Sequence, residues 1–600
     1  MDLRVTDVDV DGVLQLLGSH LYTTPTVAIR ELVQNAHDSI VRRRMEDLGF
    51  EGGEIRLSAD PVRRTLTVWD DGTGMTDDEI AGFLATIGAG ATRQVREASG
   101  SEDLIGLFGV GFLSAFVVGR RVSVETTSFR DRTRGWWYQS AGGRQYTLRE
   151  VAPQEPGTRV VVELTDAAAP LCDPPTLAQV TRRFCVLLRV PVYVGDASEP
   201  LNLEPPWRPG DGGAVEHPVE AARRRREFAA AFEPLEPLAT IPVEPSDHCE
   251  VRGLLWVQGA KTYGALDNRN LSVFVRGMLL DDDARELLPP WAGFVGGVVE
   301  SPALRPTASR EDLQRDEAWF ALRDSIARQL VAGLGRLPGD EPEAWRRVLR
   351  RHNEYLLGAA VADPGLFALL ADAVTVPTTE GELHVREIVR RSRGRVHVGV
   401  GEAGGFEETV FRAMKVPIAS GSRYAVLPFL RGWGADRHVE VVELGTARGD
   451  RQVFASAPLD EAARRWFADA IGDPGDDVVP ARFAPACLPL VCFPDREVEL
   501  KKRLESDEAD ARISRSALAL ARAYTATIDG TVRRRVFLNL DNPAVARLLE
   551  VPPERRHPVA TGLLRALKRL TAGPGAGGYE LDAALAEFTA AITFLLEDGG

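Results

Sequence analysis

The chain has 600 residues, of which 44% are hydrophobic and 26% charged, and its formal net charge is −15. By length it suits about three to five globular domains. The negative balance argues against DNA or RNA as a partner unless a basic patch is concentrated somewhere. The start, MDLRVTDVDVDG, lacks a basic region followed by an apolar run, and no apolar stretch is long enough to span a bilayer. These features predict a cytoplasmic protein with no membrane attachment. Cysteines at 172, 185, 249, 487 and 492 form no even framework, which fits buried thiols in a reducing compartment.

In chain order, the first informative segment is AIRELVQNAHDSI, residues 28–40. Thr24 suits an N-cap and Pro25 a first helical position. At helical spacing Ile29, Leu32, Val33, Ala36 and Ile40 share one side, and Glu31, Asn35 and Asp38 share the other. That second side reads either as a solvated face, with His37 a surface residue on its flank, or as a working one. Asn35 favours the latter, because an amide is a modest helix former but a good oxygen ligand for Mg2+.

EIRLSA and RTLTVWD read as strands. LTVWDDGTGMT (66–76) ends its strand at Asp70 and turns through Gly72 and Gly74, either as a simple hairpin turn or as a site where a carboxylate accepts from an exocyclic amine. IGLFGVGFLSAF (105–116) places Gly106, Gly109 and Gly111 before a helix-compatible run. Such glycines either expose N–H groups to phosphate or let a helix pack closely on a sheet. RRVSVETTS and TRVVVEL complete a set of strands interleaved with helices, which predicts a sheet covered by helices.

EPPWRPGDGGAVEHP (204–218) and IGDPGDDVVP (471–480) read as linkers. The basic run Arg223–Arg226 beside the first reads as a solvated helix start. The chain therefore divides into 1–205, a short linker at 206–226, 227–470 and 471–600. Near the end of the middle block, Ser309 suits an N-cap with Asp312 at the third helical position, so Arg310 would project from a first turn. Leu581, Leu585, Phe588, Ile592 and Leu595 make an apolar seam near the C-terminus, suited to intrachain packing or to a partner helix.

Taken together, 28–40, 66–76, 105–116 and GTRVVVEL (157–164) resemble the GHKL (Bergerat) ATP-binding domain of Hsp90 chaperones, DNA gyrase B, MutL-type repair proteins and histidine kinases. LYTTPTVAIRELVQNAHDSI, LIGLFGVGFLSAFVV and the stretch FVRGMLLDDDARELLPPWAGFVGGVVES with RPTASREDLQ (274–314) resemble the bacterial form of the Hsp90 family. The resemblance implies an α+β protein: an N-terminal α/β sandwich, an α/β middle domain with a ribosomal S5-like portion, and an α+β C-terminal dimerisation domain. It implies ATP and Mg2+ as cofactors. Glu31 would act on the attacking water, Asn35 and the metal would hold phosphates, and Asp70 would recognise adenine with help from Thr158. Asp38, Gly74, Met75, Gly106, Gly109, Val110, Gly111 and Phe112 would border the nucleotide. Arg310, with Gln314, would reach the γ-phosphate from the middle domain.

The implied function is ATP-dependent clamping by a homodimer on partly folded client proteins. Phe83 and Ala89 stand where many relatives carry a polar Asn and a Lys, so those two ligand contacts are expected to be absent. Two rivals follow: a nucleotide-binding scaffold with weak or no turnover, and a GHKL ATPase acting on DNA.

Overall fold

The computed structural model describes residues 25–84, 105, 111–143, 145–208, 217–246, 249–260, 268–307, 312–400, 416–423, 425–495, 498, 532–552 and 558–571. Gly106, Gly109, Val110, Ala89, Ser309, Arg310 and the seam at 581–595 lie outside them. The chain forms two compact units, 1–351 and 352–600. The division falls at His352, where the helix Pro342–Ala362 leaves helical dihedrals (φ −120°, ψ 20°).

The first unit opens with α1 (Val27–Glu46), two residues later than the sequence suggests; Pro25 sits in a turn and the Thr26 side chain makes no cap. Strands β1 (Ile55–Asp60) and β2 (Thr65–Asp70) follow, then α2 (Asp77–Phe83), held by a capping box between Thr76 and Glu79. After a short 3-10 turn at Gly111–Leu113 come α3 (Ser114–Val118), β3 (Gly119–Ser128), β4 (Asp131–Ser140), β5 (Tyr146–Val151), β6 (Gly157–Leu164), α4 (Pro174–Cys185) and β7 (Val192–Val194). The strands form one sheet in the order β5-β4-β3-β6-β2-β1-β7, antiparallel except for β1 with β7. In β2 burial alternates, so Leu66, Val68 and Asp70 share the inward face. The four expected strands are all present; β4, β5 and β7 join them.

The predicted linker is docked at both of its described ends. Trp207 donates to Glu300 (3.1 Å) and meets Phe228 edge-on at 5.2 Å between centroids. Phe228 and Ala229 of α5 (Pro218–Ala230) are buried. The basic run on α5 is not simply solvated either, because Arg224 donates to the Pro206 carbonyl and Arg226 pairs with Glu341 (2.8 Å). Strands β8 (Ala239–Val243), β9 (Arg252–Val257), β10 (Asn270–Val275), β11 (Met278–Asp281) and β12 (Val295–Glu300) build a second sheet, ordered β11-β10-β12-β9-β8. One apolar core runs through both sheets, from Ile29 and Val68 to Trp256, Phe274 and Met278. The helix expected at Arg310 is displaced: Asp312–Gln314 is not helical, Leu313 bridges Pro306, and α6 (Glu317–Asp340) starts only after its Asp316 cap.

The second unit holds a five-stranded sheet, β14-β13-β16-β15-β17, from β13 (Thr375–Thr378), β14 (Gly381–His384), β15 (Arg395–Gly399), β16 (Ile418–Ser420) and β17 (Glu440–Leu444). A three-stranded sheet, β18-β20-β19, combines β18 (Asp476–Ala481), β19 (Leu490–Pro494) and β20 (Arg534–Asn539). Residues 471–480 are not a linker: Ile471 ends a helix and β18 carries Val478 and Val479 into the core. Phe454, Phe493 and Phe537 share one cluster across residue 470.

Candidate functional site

Helix α1 is buried from Val27 to Ile40 with one exception, Asn35. Its polar side is therefore covered by protein rather than solvated, and the surface assignment of His37 fails with it; His37 is 4% exposed. Burying a carboxylate is costly unless something nearby compensates. Asp38 accepts from the Ile105 N–H (2.9 Å) and touches His37 Nδ1 (3.2 Å), so it pins the start of the glycine segment from inside.

Glu31 and Asn35 converge on Gly111. A Cβ built on Gly111 would stand 2.7 Å from Glu31 Oε2 and 3.7 Å from Asn35 Oδ1. Only a residue without a side chain lets the backbone approach a buried carboxylate this closely. Phe112, the next residue, turns away into the aromatic cluster of Phe116 and Tyr138, at 5.8 and 6.3 Å between centroids.

The second cluster surrounds the end of β2. Asp70 is 5% exposed; Gly72 donates to its Oδ1 (2.9 Å), and Ser39 of α1 bonds it as well. Burial pushes the Asp70 pKa up to about 7 despite those two bonds. The carboxyl thus sits at a strand end, closes the turn through Gly72 N–H, and lies close to titrating near neutrality. Gly74, at φ +59°, passes so close to β3 that a Cβ would lie 1.9 Å from the Thr127 carbonyl. Thr158 stands opposite both Asp70 and Thr126 in the sheet register. Thr126 Oγ1 accepts from Met75 N (3.0 Å), donates to the Gly157 carbonyl (2.8 Å) and lies 3.2 Å from Thr158 Oγ1.

Ser39 and Thr126 were not singled out from the sequence. Thr126 carried a signal, since it follows Val122 and Val124 on the inward face of β3, where a polar residue needs partners. Gln314 stays in its own loop: its amide donates to the Pro306 carbonyl (2.7 Å) and its backbone N–H to Arg305 O (2.9 Å).

Among the described residues no three His, Cys, Asp or Glu side chains cluster as a metal site. A magnesium ion that takes one amide oxygen and otherwise phosphates and water needs no such cluster. Asn35, exposed beside the Gly111 cradle, fits that role.

Residues 22–154 match the family model described as "Histidine kinase-, DNA gyrase B-, and HSP90-like ATPase", and residues 233–361 match that described as "Hsp90 protein". Over these segments the chain resembles the Hsp90 family. It is 32% identical over 349 residues to "Chaperone protein HtpG" of Methylorubrum extorquens (strain PA1), covering 54% of this chain and 55% of that one. To the protein of the same name from Gluconobacter oxydans it is 31% identical over 350 residues, with 55% of each chain covered. For that of Chlorobium phaeobacteroides the identity is 26% over 373 residues, covering 58% of each. The chain thus spans little more than half the length of the curated relatives it matches. The first matched segment contains Glu31, Asn35, Asp70, Gly111 and Thr126, while Gly157 and Thr158 lie just beyond it, and the second contains the second sheet.

Proposed function

We propose that the chain is a Mg2+-dependent ATPase and molecular chaperone of the Hsp90/HtpG type, acting in the cytoplasm. The observation that carries this reading is the approach of Glu31 and Asn35 to the backbone at Gly111, in the same domain as the buried Asp70. Asp70 would accept from the adenine amine, steadied by Ser39 and the Thr126–Thr158 pair, with Gly74 and Met75 bordering the base. Asn35 would hold the metal, and Mg2+ when bound supplies charge neutralisation to the phosphates. The segment Gly106–Phe112 would border the phosphates with its backbone N–H groups, and Asp38 anchors its beginning through Ile105. Glu31 would orient or deprotonate the attacking water. Arg310, with Gln314, would reach the γ-phosphate from the middle domain only when the two domains dock, which ties turnover to conformation.

Functionally we assign nucleotide binding to 1–205, the γ-phosphate contact to 227–470 and homodimerisation to 471–600, although the packed units divide differently. Partly folded proteins are the proposed clients. Among the described residues no helix is long and apolar enough to cross a membrane.

The test is steady-state Mg·ATP hydrolysis by the wild type and Glu31→Ala, with nucleotide binding measured in both. Turnover lost while binding survives supports the proposal. Binding without wild-type turnover favours a nucleotide-dependent scaffold, and absence of binding removes the whole reading.

A further inference from the structure

The outward face of the seven-stranded sheet carries one row of side chains that crosses every strand. In register, Tyr193 of β7 stands beside Arg56 of β1, Arg56 beside Trp69 of β2, and Trp69 beside Arg159 of β6. The row continues through Glu125 of β3 and Trp137 of β4 to Arg149 of β5. Leu66, Val68 and Asp70 point the other way, so the row lies on the opposite face of the sheet from Asp70 and α1. Its arginines are exposed and its aromatic residues half-buried. Guanidinium groups lie over two of the rings, Arg56 over Tyr193 at 4.5 Å and Arg149 over Trp137 at 5.3 Å from the centroid.

On one side of this row the face is low. Thr67, Val161 and Ser123 occupy the adjoining positions of β2, β6 and β3, and Gln139 of β4 lies down on Ser123 (3.1 Å). On the other side the connection from β5 to β6 rises. Ala152, Gln154 and Glu155 form a shallow groove with Trp69, Glu125 and Arg159, and the Gln154 N–H is fixed to Thr127 Oγ1 (3.0 Å).

Three features select what such a face can hold. The backbone of its inner strands is paired on both sides, so a ligand cannot add here as a strand. Acidic groups are interleaved with the basic ones: Glu54 holds Arg56 at 2.7 Å, Glu163 holds Arg121 at 3.3 Å, and Glu125 neighbours Arg159 across strands, so a polyanion gains little. What the row offers is flat apolar rings together with donors, the indole N–H groups of Trp69 and Trp137 and the guanidinium groups of Arg149 and Arg159. Among the described residues none of these four side chains donates a hydrogen bond within the chain. A proline-rich chain complements both properties. Its prolines lack N–H, its carbonyls are free because polyproline II makes no internal hydrogen bonds, and its rings pack on aromatic faces. The spacing agrees: two strand intervals separate Tyr193 from Trp69, about 10 Å, against roughly 9 Å for one turn of polyproline II.

We propose that this face docks a proline-rich segment of another protein in the polyproline II conformation, laid along the row from Tyr193 to Trp137. The segment and a nucleotide occupy opposite faces of the sheet, and the inference does not depend on the nucleotide reading.

The test is fluorescence anisotropy of a labelled peptide of about nine prolines titrated with the full chain, beside a Gly-Ser peptide of equal length and an oligothymidylate. The wild type is compared with the double variant Trp69→Thr/Trp137→Thr and with Arg149→Gln. Threonine keeps the strand preference of both positions, and unfolding midpoints check that the variants fold. Saturable binding of the proline peptide is expected, weakened about tenfold or more in the double variant and about threefold in Arg149→Gln, and unchanged by Mg·ADP. If the double variant does not fold, Arg149→Gln decides. No wild-type binding, equal binding of the Gly-Ser peptide, or full affinity in a folded variant would each overturn the proposal, and preferential binding of the oligothymidylate would overturn it in favour of a nucleic-acid face. Because Mg·ADP binding is recorded separately, failure of the nucleotide reading and failure of this docking face give different results.

Discussion

Thr158 faces Asp70 across the β2–β6 pair, and on its other side its hydroxyl lies 3.2 Å from that of Thr126. One carboxyl and two hydroxyls thus line up across three neighbouring strands, on a face otherwise filled by Leu66, Val68, Val122, Val124 and Val162. A polar row of this kind holds only if its members satisfy one another.

Thr126→Val tests that row. It removes the acceptor of Met75 N and the donor to Gly157 O while keeping the side chain's shape. Leaving two backbone groups unpaired should cost about 2–4 kcal/mol, read by urea unfolding of the first unit's transition.

Asp70 gives a pH signature of defined sign. Its folded pKa of about 7 lies above the unfolded value of about 3.9. The folded state therefore keeps a proton that the unfolded chain has lost, and stability falls as pH rises through that window. Asp70→Asn should flatten this slope, so the stability of the variant relative to wild type rises between pH 4.5 and 7.5. A stability difference independent of pH would show that Asp70 titrates normally. The amide also presents a donor either to Gly72 N–H or to a ligand amine, so ATP affinity should drop in the same variant.

Gly111→Ala inserts a methyl 2.7 Å from Glu31 Oε2. The carboxylate must move, and displacement of a reacting group by about 1 Å can cost on the order of a hundredfold in rate. We expect kcat for ATP to fall far more than nucleotide affinity, in a protein that still folds. Equal losses in both would point to general disruption of the segment.

In the second unit, Lys568 is fully buried between Asp473 (2.6 Å) and Asp476 (2.8 Å). Lys568→Met leaves Asp473 and Asp476 with Arg534 as their remaining cationic partner and should destabilise that unit by about 2–3 kcal/mol. Burial pushes the Asp473 pKa up, but the Lys568 bond and charge outweigh it and the net shift is downward. Stability from this pair is therefore present above the usual carboxylate range and lost as pH falls below it, the opposite sign to Asp70. Thermal unfolding from pH 3 to 7 should show the wild type losing more stability toward acid than Lys568→Met.

The parts of this architecture that could be read in the sequence were those with local periodicity. Strands β1, β2, β3 and β6 alternate clearly, and the Asp-Gly and glycine segments mark chain reversals beside them. What periodicity could not decide was which polar side of α1 meets solvent, because that depends on elements distant in sequence: Gly111 and Ile105 cover Glu31 and Asp38. Proline and glycine misled at 471–480, where Ile471 ends a helix and Val478 and Val479 enter the core, and at 204–218 the described Trp207 packs on Phe228. At Asp312–Gln314 a good local capping pattern lost to pairing with residues 305–307, and the helix waits for the Asp316 cap.

The apolar core shared by the two sheets of the first unit changes what a break in the chain would mean. A single cut between Trp207 and His217 would sever the backbone without separating the halves, because Phe228, Trp256, Phe274 and Met278 still share one interior with Cys185 and Leu187. The nicked product should elute as one particle under native conditions and resolve into two bands only after denaturation.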